Sequence, residues 1–192
     1  RGLVRDVCRV MGLQPAEATH RSYPFLAGKG GDSLVSREQV LAAAPEVVRR
    51  ERELLAGLVA SYLDRELVDG SIVAVGMGRN VSAVSGHALS ATQRQCTFVS
   101  AIGGSYRGGQ TMNADHIARR LASRFGGECE SLYAPALVDD PEFRRKLIEN
   151  DTVRPTLDKA RRADIALNGV GDMSEDSKIV RMGWVSTREI DQ

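Results

Sequence analysis

Four short apolar runs punctuate the chain from residue 71 onward: SIVAVG (71–76), CTFVSAIGG (96–104), CESLYAPA (129–136) and ADIALNGVG (163–171). Each is apolar on consecutive positions, the pattern of a strand covered on both faces rather than one. Between the runs the apolar period changes. Val81, Val84 and Leu89 follow the first run at helical spacing. In NADHIARRLASRFGG, Ile117, Leu121 and Phe125 fall at i, i+4 and i+8, which places them on one stripe and leaves Arg119, Arg120 and Arg124 to solvent. DDPEFRRKLIEN predicts a helix capped by Asp140 with Pro141 in the first helical position, and TVRPTLDKARR predicts another. Strand and helix alternate, so the expected fold class is α/β, a largely parallel sheet with helices on both faces.

Upstream, Ser36 and Gln39 have capping-box spacing, and Pro45 suits a helix start or restart. Leu54, Leu55, Leu58, Val59, Tyr62 and Leu63 form a broad apolar stripe expected to face the core, with Arg49, Arg50, Glu51, Arg52 and Glu53 on the solvated side. Gly70 closes this helix. Residues 1–44 are poorly assigned. Leu3, Val7, Val10 and Met11 have helical spacing with Gly12 as a stop, and 13–35, with Pro15, Pro24 and AGKGGDS, has the look of a loop.

Composition narrows the function classes. The 192 residues, 42% of them hydrophobic, suit one core, and we expect a single domain over 1–192. Lys and Arg number 26 against 25 Asp and Glu, so a net charge of +1 provides no electrostatic grip on nucleic acid or an anionic membrane. Cys8, Cys96 and Cys129 lack metal-site spacing and fit buried thiols of a cytoplasmic protein. No stretch approaches the roughly 20 apolar residues of a membrane span.

The loops that follow the strands carry the candidate chemistry, because ligands of open α/β sheets bind beyond the strands' carboxyl ends. These loops read GMGRN (76–80), IGGSYRGGQTMN (102–113), APALVDD (134–140) and NGVGDM (168–173). GMGRN is not a dinucleotide fingerprint: Gly76 and Gly78 match, but Val81 occupies the third glycine position and the second strand ends without a carboxylate. The Walker Gly-Lys-Ser/Thr is also missing. What remains is an anion seat, in which the amides of Gly76 to Asn80 open a helix, its dipole adds positive charge, and Arg79 stands beside them. Asn80, Ser82 and Ser85 either cap or bind. Tyr106 and Arg107 sit on a glycine-flanked tip suited to closing over a sugar and its phosphate, while Asn113 is either an N-cap or a ligand contact. Asn168 and Asp172, flanking Gly169 and Gly171, can bind sugar hydroxyls. His20, His87 and His116 have no nucleophilic or acidic partner at a recognisable spacing; no catalytic set, metal site or cofactor is expected.

Taken in order, AVGMGRNVSAV, SAIGG, MNADHIARRLASRFGG, LYAPALVDDPEFRRKLIEN and ADIALNGVGDM resemble the effector-binding domain of SorC-type bacterial transcriptional regulators over about residues 45 to 190. The resemblance implies a Rossmann-like fold similar to ribose-5-phosphate isomerase, glucosamine-6-phosphate deaminase and CoA transferases. It implies a phosphorylated sugar as effector, a homo-oligomer (dimer or tetramer), and operator DNA bound through a helix-turn-helix not present in this chain. The family's G-x-G-R-T phosphate loop falls on Gly76, Gly78, Arg79 and Asn80, with Asn80 in place of the usual Thr. Its paired glycines fall on Gly103 and Gly104, and the loop after the fourth strand on Gly169, Gly171 and Asp172. By the same comparison the domain is expected to be incomplete at its C-terminus. The alternative is a sugar-phosphate isomerase or deaminase on the same fold, for which Asp139, Asp140 and Asp172 are the candidate bases.

Overall fold

The computed structural model describes residues 37–88, 90, 92–106, 109–170, 178–181, 183 and 186. The expectations for residues 1–36, and those resting on Leu89, Arg107, Gly171 and Asp172, lie outside the described residues. The chain divides into two compact units, Arg1–Leu54 and Leu55–Gln192. Within the first, the described backbone is helical and belongs to α1 (Arg37–Glu66), a 30-residue helix that runs on through Pro45.

The second unit holds the sheet. Four strands, β1 (Ile72–Val75), β2 (Thr97–Ser100), β3 (Glu128–Glu130) and β4 (Ile165–Leu167), lie in the order β3-β2-β1-β4. Every pairing is parallel: Val73 stands opposite both Phe98 and Ile165, and Phe98 opposite Cys129. The connecting helices are α2 (Arg79–His87), α3 (Ala114–Phe125), α4 (Pro141–Glu149) and α5 (Arg154–Arg161), with a short α6 (Lys178–Arg181) beyond the sheet. The chain steps outward from β1 to β3 through α2 and α3, then returns through α4 and α5 to place β4 on the other side of β1. The strand order therefore reverses between β1 and β4, and their carboxyl ends flank the natural ligand crevice.

Strand alternation assigns the two faces. Val73, Val75, Phe98 and Leu167 join Val81 and Val84 of α2, Ile117, Leu121 and Phe125 of α3, and Ala56, Ala60 and Leu63 of α1 in one buried cluster. Phe98 and Phe125 stack with ring centroids 5.8 Å apart. Ala74 and Val99 turn the other way, toward the face that α5 covers, where Val153 and Thr156 are buried.

One expectation is overturned here. Of the predicted α1 stripe, Leu63 faces the core and Val59 packs partly against it, whereas Leu54, Leu55, Leu58 and Tyr62 are exposed. The core-facing residues are Ala56, Ala60, Leu63 and Leu67, at i, i+4, i+7 and i+11. Two of them are alanines, whose small side chains suit a close approach of α1 to its neighbours and carry little weight in a hydrophobic pattern. The stripe of Ile117, Leu121 and Phe125 is fully buried, as expected. Arg119 does more than meet solvent: it donates to Asp115 (3.0 Å) and to the Ser131 hydroxyl (2.7 Å).

Candidate functional site

The β1 loop meets the β4 loop at the switch point. Gly76 donates its N–H to the Leu167 carbonyl (2.9 Å), and its α-carbon lies directly under Asn168, so that a Cβ there would come 2.2 Å from Asn168 Oδ1. A Cβ on Gly169 would make ordinary contact with Val81 and the Met77 carbonyl. The two predicted loops therefore share one small area of surface.

Gly78 is the N-cap of α2 at φ 122°, a backbone conformation an L side chain rarely adopts. Its N–H donates to the Met112 carbonyl (3.0 Å), and the Ser82 hydroxyl donates to the Thr111 carbonyl (3.0 Å). The anion seat consequently differs from its expected form, because the amides of Gly76 and Gly78 are spent inside the protein. What remains of the seat is the start of α2, where the first turn has no acceptor inside the helix for its amides and Gly78, in the N-cap position, has no side chain to cap them. Arg79 is exposed at this turn and makes no ion pair among the described residues. Ser85 is buried and donates to the Ser82 carbonyl (2.7 Å), so neither serine needs a ligand to be satisfied.

The same two bonds bring the 3₁₀ turn Gln110–Met112, and with it the start of α3, against the start of α2. Asn113 occupies the N-cap position of α3, yet its side chain does not cap. Its amide instead closes the preceding loop, accepting from Ser105 N (2.8 Å) and donating to the carbonyls of Ser105 (2.9 Å) and Gly109 (3.2 Å). Two helix N-termini without side-chain caps thus lie side by side at the carboxyl edge of the sheet, each presenting partial positive charge. Tyr106, 89% exposed, stands on the loop that Asn113 closes.

Gly104 bridges to the segment after β3, its N–H donating to the Ala134 carbonyl and its carbonyl accepting from Ala136 N, both at 2.9 Å, and Gly103 lies close against the Ala134 and Pro135 carbonyls. Sequence reading also missed Ser100, whose buried hydroxyl at the end of β2 has no hydrogen-bond partner among the described residues. Asp140 spends its carboxylate on the Glu142 N–H at the start of α4 (2.8 Å), as predicted for a cap. Burial pushes the thiols of Cys96 and Cys129 up, which favours the protonated form of each. Among the described residues no group of His, Cys, Asp and Glu could hold a metal ion.

The family model described as "Putative sugar-binding domain" matches residues 36–192. The chain belongs to this sugar-binding domain family. Among solved structures, the chain is similar to the "Putative Sugar-Binding Domain of Transcriptional Repressor" from Vibrio fischeri, at 48% identity and a TM-score of 0.65 over 74% of this chain and 55% of that one. It shares its fold with the full-length sorbitol operon regulator SorC of Klebsiella pneumoniae (23% identity, TM-score 0.68, 74% of this chain and 47% of that one). The erythritol catabolism regulatory protein EryD of Brucella abortus is 24% identical over 135 residues, 69% of this chain and 42% of EryD. The chain thus spans less than half of EryD and about half of these structures. The α/β class, the parallel sheet and the family expected from the sequence are all borne out. No helix among the described residues is long and apolar enough to cross a membrane.

Proposed function

We propose that this domain binds a phosphorylated sugar in the crevice between the β1 and β4 loops, with the phosphate on the first turn of α2 and the sugar near Tyr106. The observation that carries this reading is the start of α2 after Gly78: a helix N-terminus at the switch point, with no cap from its N-cap residue, beside the start of α3, which also lacks one, and flanked by Arg79. A phosphate dianion suits that place, since backbone donors and two helix dipoles favour negative charge without a dedicated lysine. Asn80 stands in the first turn and Asn168 lies over Gly76; these and Tyr106, with Arg107 and Asp172 named from the sequence alone, are our candidates for the sugar hydroxyls. Gly103, Gly104 and Asn113 act indirectly in this reading, by holding the loops that form the crevice.

We read the domain as a binding module rather than an enzyme, with no cofactor. Asp140, one of the three carboxylates a sugar isomerase could use as base, is occupied by the cap of α4. The chain's partners in this proposal are further copies of itself and operator DNA, the latter contacted through a separate helix-turn-helix in the cytoplasm. An effector shifts DNA affinity only as far as it binds one oligomer arrangement better than the other, typically about 1–3 kcal/mol of coupling.

The test is calorimetric titration of a panel of hexose and pentose phosphates, each beside its unphosphorylated sugar, into the wild type and Arg79→Ala. Loss of one charge-assisted contact predicts roughly 10- to 100-fold weaker binding of the phosphorylated form, with the free sugar little changed. Equal losses for both forms would remove Arg79 from the phosphate, and conversion of the best ligand, followed by NMR, would revive the enzyme.

A further inference from the structure

A cavity of about 350 Å³ opens elsewhere, among the end of β2, residues 132–138, α4 and α5. It lies on the α5 side of the sheet, and the Gly76–Asn80 turn contributes nothing to its lining. Its deep wall is aliphatic: Leu132 and Val153 are buried, while Ile102, Leu147, Ile148 and Leu157 are half-buried and keep apolar surface open to the space. No hydroxyl, amide or carboxylate side chain lines it; its polar side chains are the guanidinium groups of Arg144 and Arg161. A sugar there would find no hydroxyl, amide or carboxylate side chain to meet its own hydroxyls, so the space suits an apolar body better than a sugar.

The charges at its rim are unequal. Arg161 is held by Asp158 at 2.7 Å. On α4 the two glutamates are taken by other residues, Glu142 by Lys146 (2.8 Å) and Glu149 by Arg145 (3.2 Å). Arg144 is left with no carboxylate partner among the described residues, at the edge of an aliphatic cavity. An engineered aliphatic cavity of about 150 Å³ takes a benzene ring, so this one has room for an apolar body roughly twice that size, within the range of small-molecule sites.

We propose that this cavity is a second ligand site, independent of the sugar crevice, for a small amphipathic anion whose hydrocarbon body fills the aliphatic space and whose single carboxylate or phosphate meets Arg144. Aliphatic burial supplies affinity and the guanidinium selects the sign of the head group.

Octanoate, octyl phosphate and octylamine are the probes, titrated calorimetrically into the 192-residue chain. Both anions are expected to bind with saturable heat and the amine, with the same chain and opposite charge, to bind at least about 10-fold more weakly, the least expected of one charge-assisted contact. Arg144→Gln, an exposed position, is expected to bring the anions down to the level of the amine, and Leu147→Trp to block all three by filling the space. Arg79→Ala leaves octanoate binding unchanged, which separates this site from the sugar-phosphate reading. Equal binding of amine and anions, an unaltered affinity in Arg144→Gln, or displacement of octanoate by a hexose phosphate would each overturn the proposal. So would octanoate binding that weakens as protein concentration rises, with sedimentation showing self-association, because the cavity would then belong to an interface between copies.

Discussion

Replacing Gly103 by alanine separates a glycine kept for packing from a glycine kept for a ligand. A Cβ at this position would lie 2.2 Å from the Ala134 carbonyl oxygen and 2.5 Å from that of Pro135. Both are backbone atoms, so no side-chain rotation relieves the clash, and the segment after β2 must move by the better part of an ångström. That movement pulls on the reciprocal pair between Gly104 and the 134–136 backbone. Overpacking of this kind costs about 1–3 kcal/mol, and two weakened backbone hydrogen bonds add about 0.5–1.5 kcal/mol each where they are lost. We therefore expect a destabilisation of about 3 kcal/mol.

Gly104→Ala is the matched control. Its Cβ would meet nothing within 4 Å, and neither glycine has a positive φ, so the change should stay within about 0.5 kcal/mol. Urea unfolding followed by far-UV circular dichroism measures both. With an unfolding slope of about 2 kcal/mol per molar urea, the midpoint of Gly103→Ala should fall by roughly 1.5 M while that of Gly104→Ala stays in place. A wild-type midpoint for Gly103→Ala, or an equal fall for both variants, would refute the packing argument. Should Gly104→Ala keep its stability and lose sugar-phosphate binding, Gly104 would be placed at the ligand.

Other positions give sharper single readings. Leu63→Ala, at a fully buried core position, should cost about 2–5 kcal/mol, whereas Leu58→Ala, 69% exposed on the same helix, should be nearly neutral in the same urea titration. Asp140→Ala removes the acceptor for Glu142 N and should lower stability by about 1 kcal/mol, read as a lower melting temperature, with Asp140→Ser restoring most of it. Hydrogen bonds from the Ser90 hydroxyl and then the Arg94 guanidinium hold the Asp64 carboxyl below its ordinary value. A depressed folded pKa means that this contribution is present above about pH 4 and is lost as pH falls through the folded value. Asp64→Asn should therefore flatten the acid limb of a stability-versus-pH curve, and an unchanged acid limb would show that the pair adds nothing measurable.

What was legible in the sequence, and what was not, follows from how far each property depends on neighbours in the chain. Three of the four apolar runs, the stripe of Ile117, Leu121 and Phe125, and the Asp140–Pro141 helix start are local patterns set by backbone period and capping chemistry, and each is present in the fold, whereas the third strand is the edge segment Glu128–Glu130, with no buried residue, and meets the CESLYAPA run only at its first two positions. The exposed leucines of α1 misled because hydrophobicity measures what a side chain gains on burial, not which face of a helix finds a partner; two alanines won that face by size. At the site, the choice of loop followed from strand order, but the state of each donor did not. Gly76 and Gly78 carry amides that look available in the sequence, and both are consumed by carbonyls, those of Leu167 and Met112, distant along the chain. Asn113 has the residue type and position of a cap, and its side chain is drawn away to Ser105 and Gly109 by a loop whose course no local propensity specifies. The aliphatic cavity beside Arg144 lies at the end of the same series, since its lining comes from four separate segments and leaves no local pattern. The farther apart in sequence two groups are, the more the answer to what a polar atom does rests on the fold, which is why the binding loops could be named from the residues while the atoms that do the binding could not.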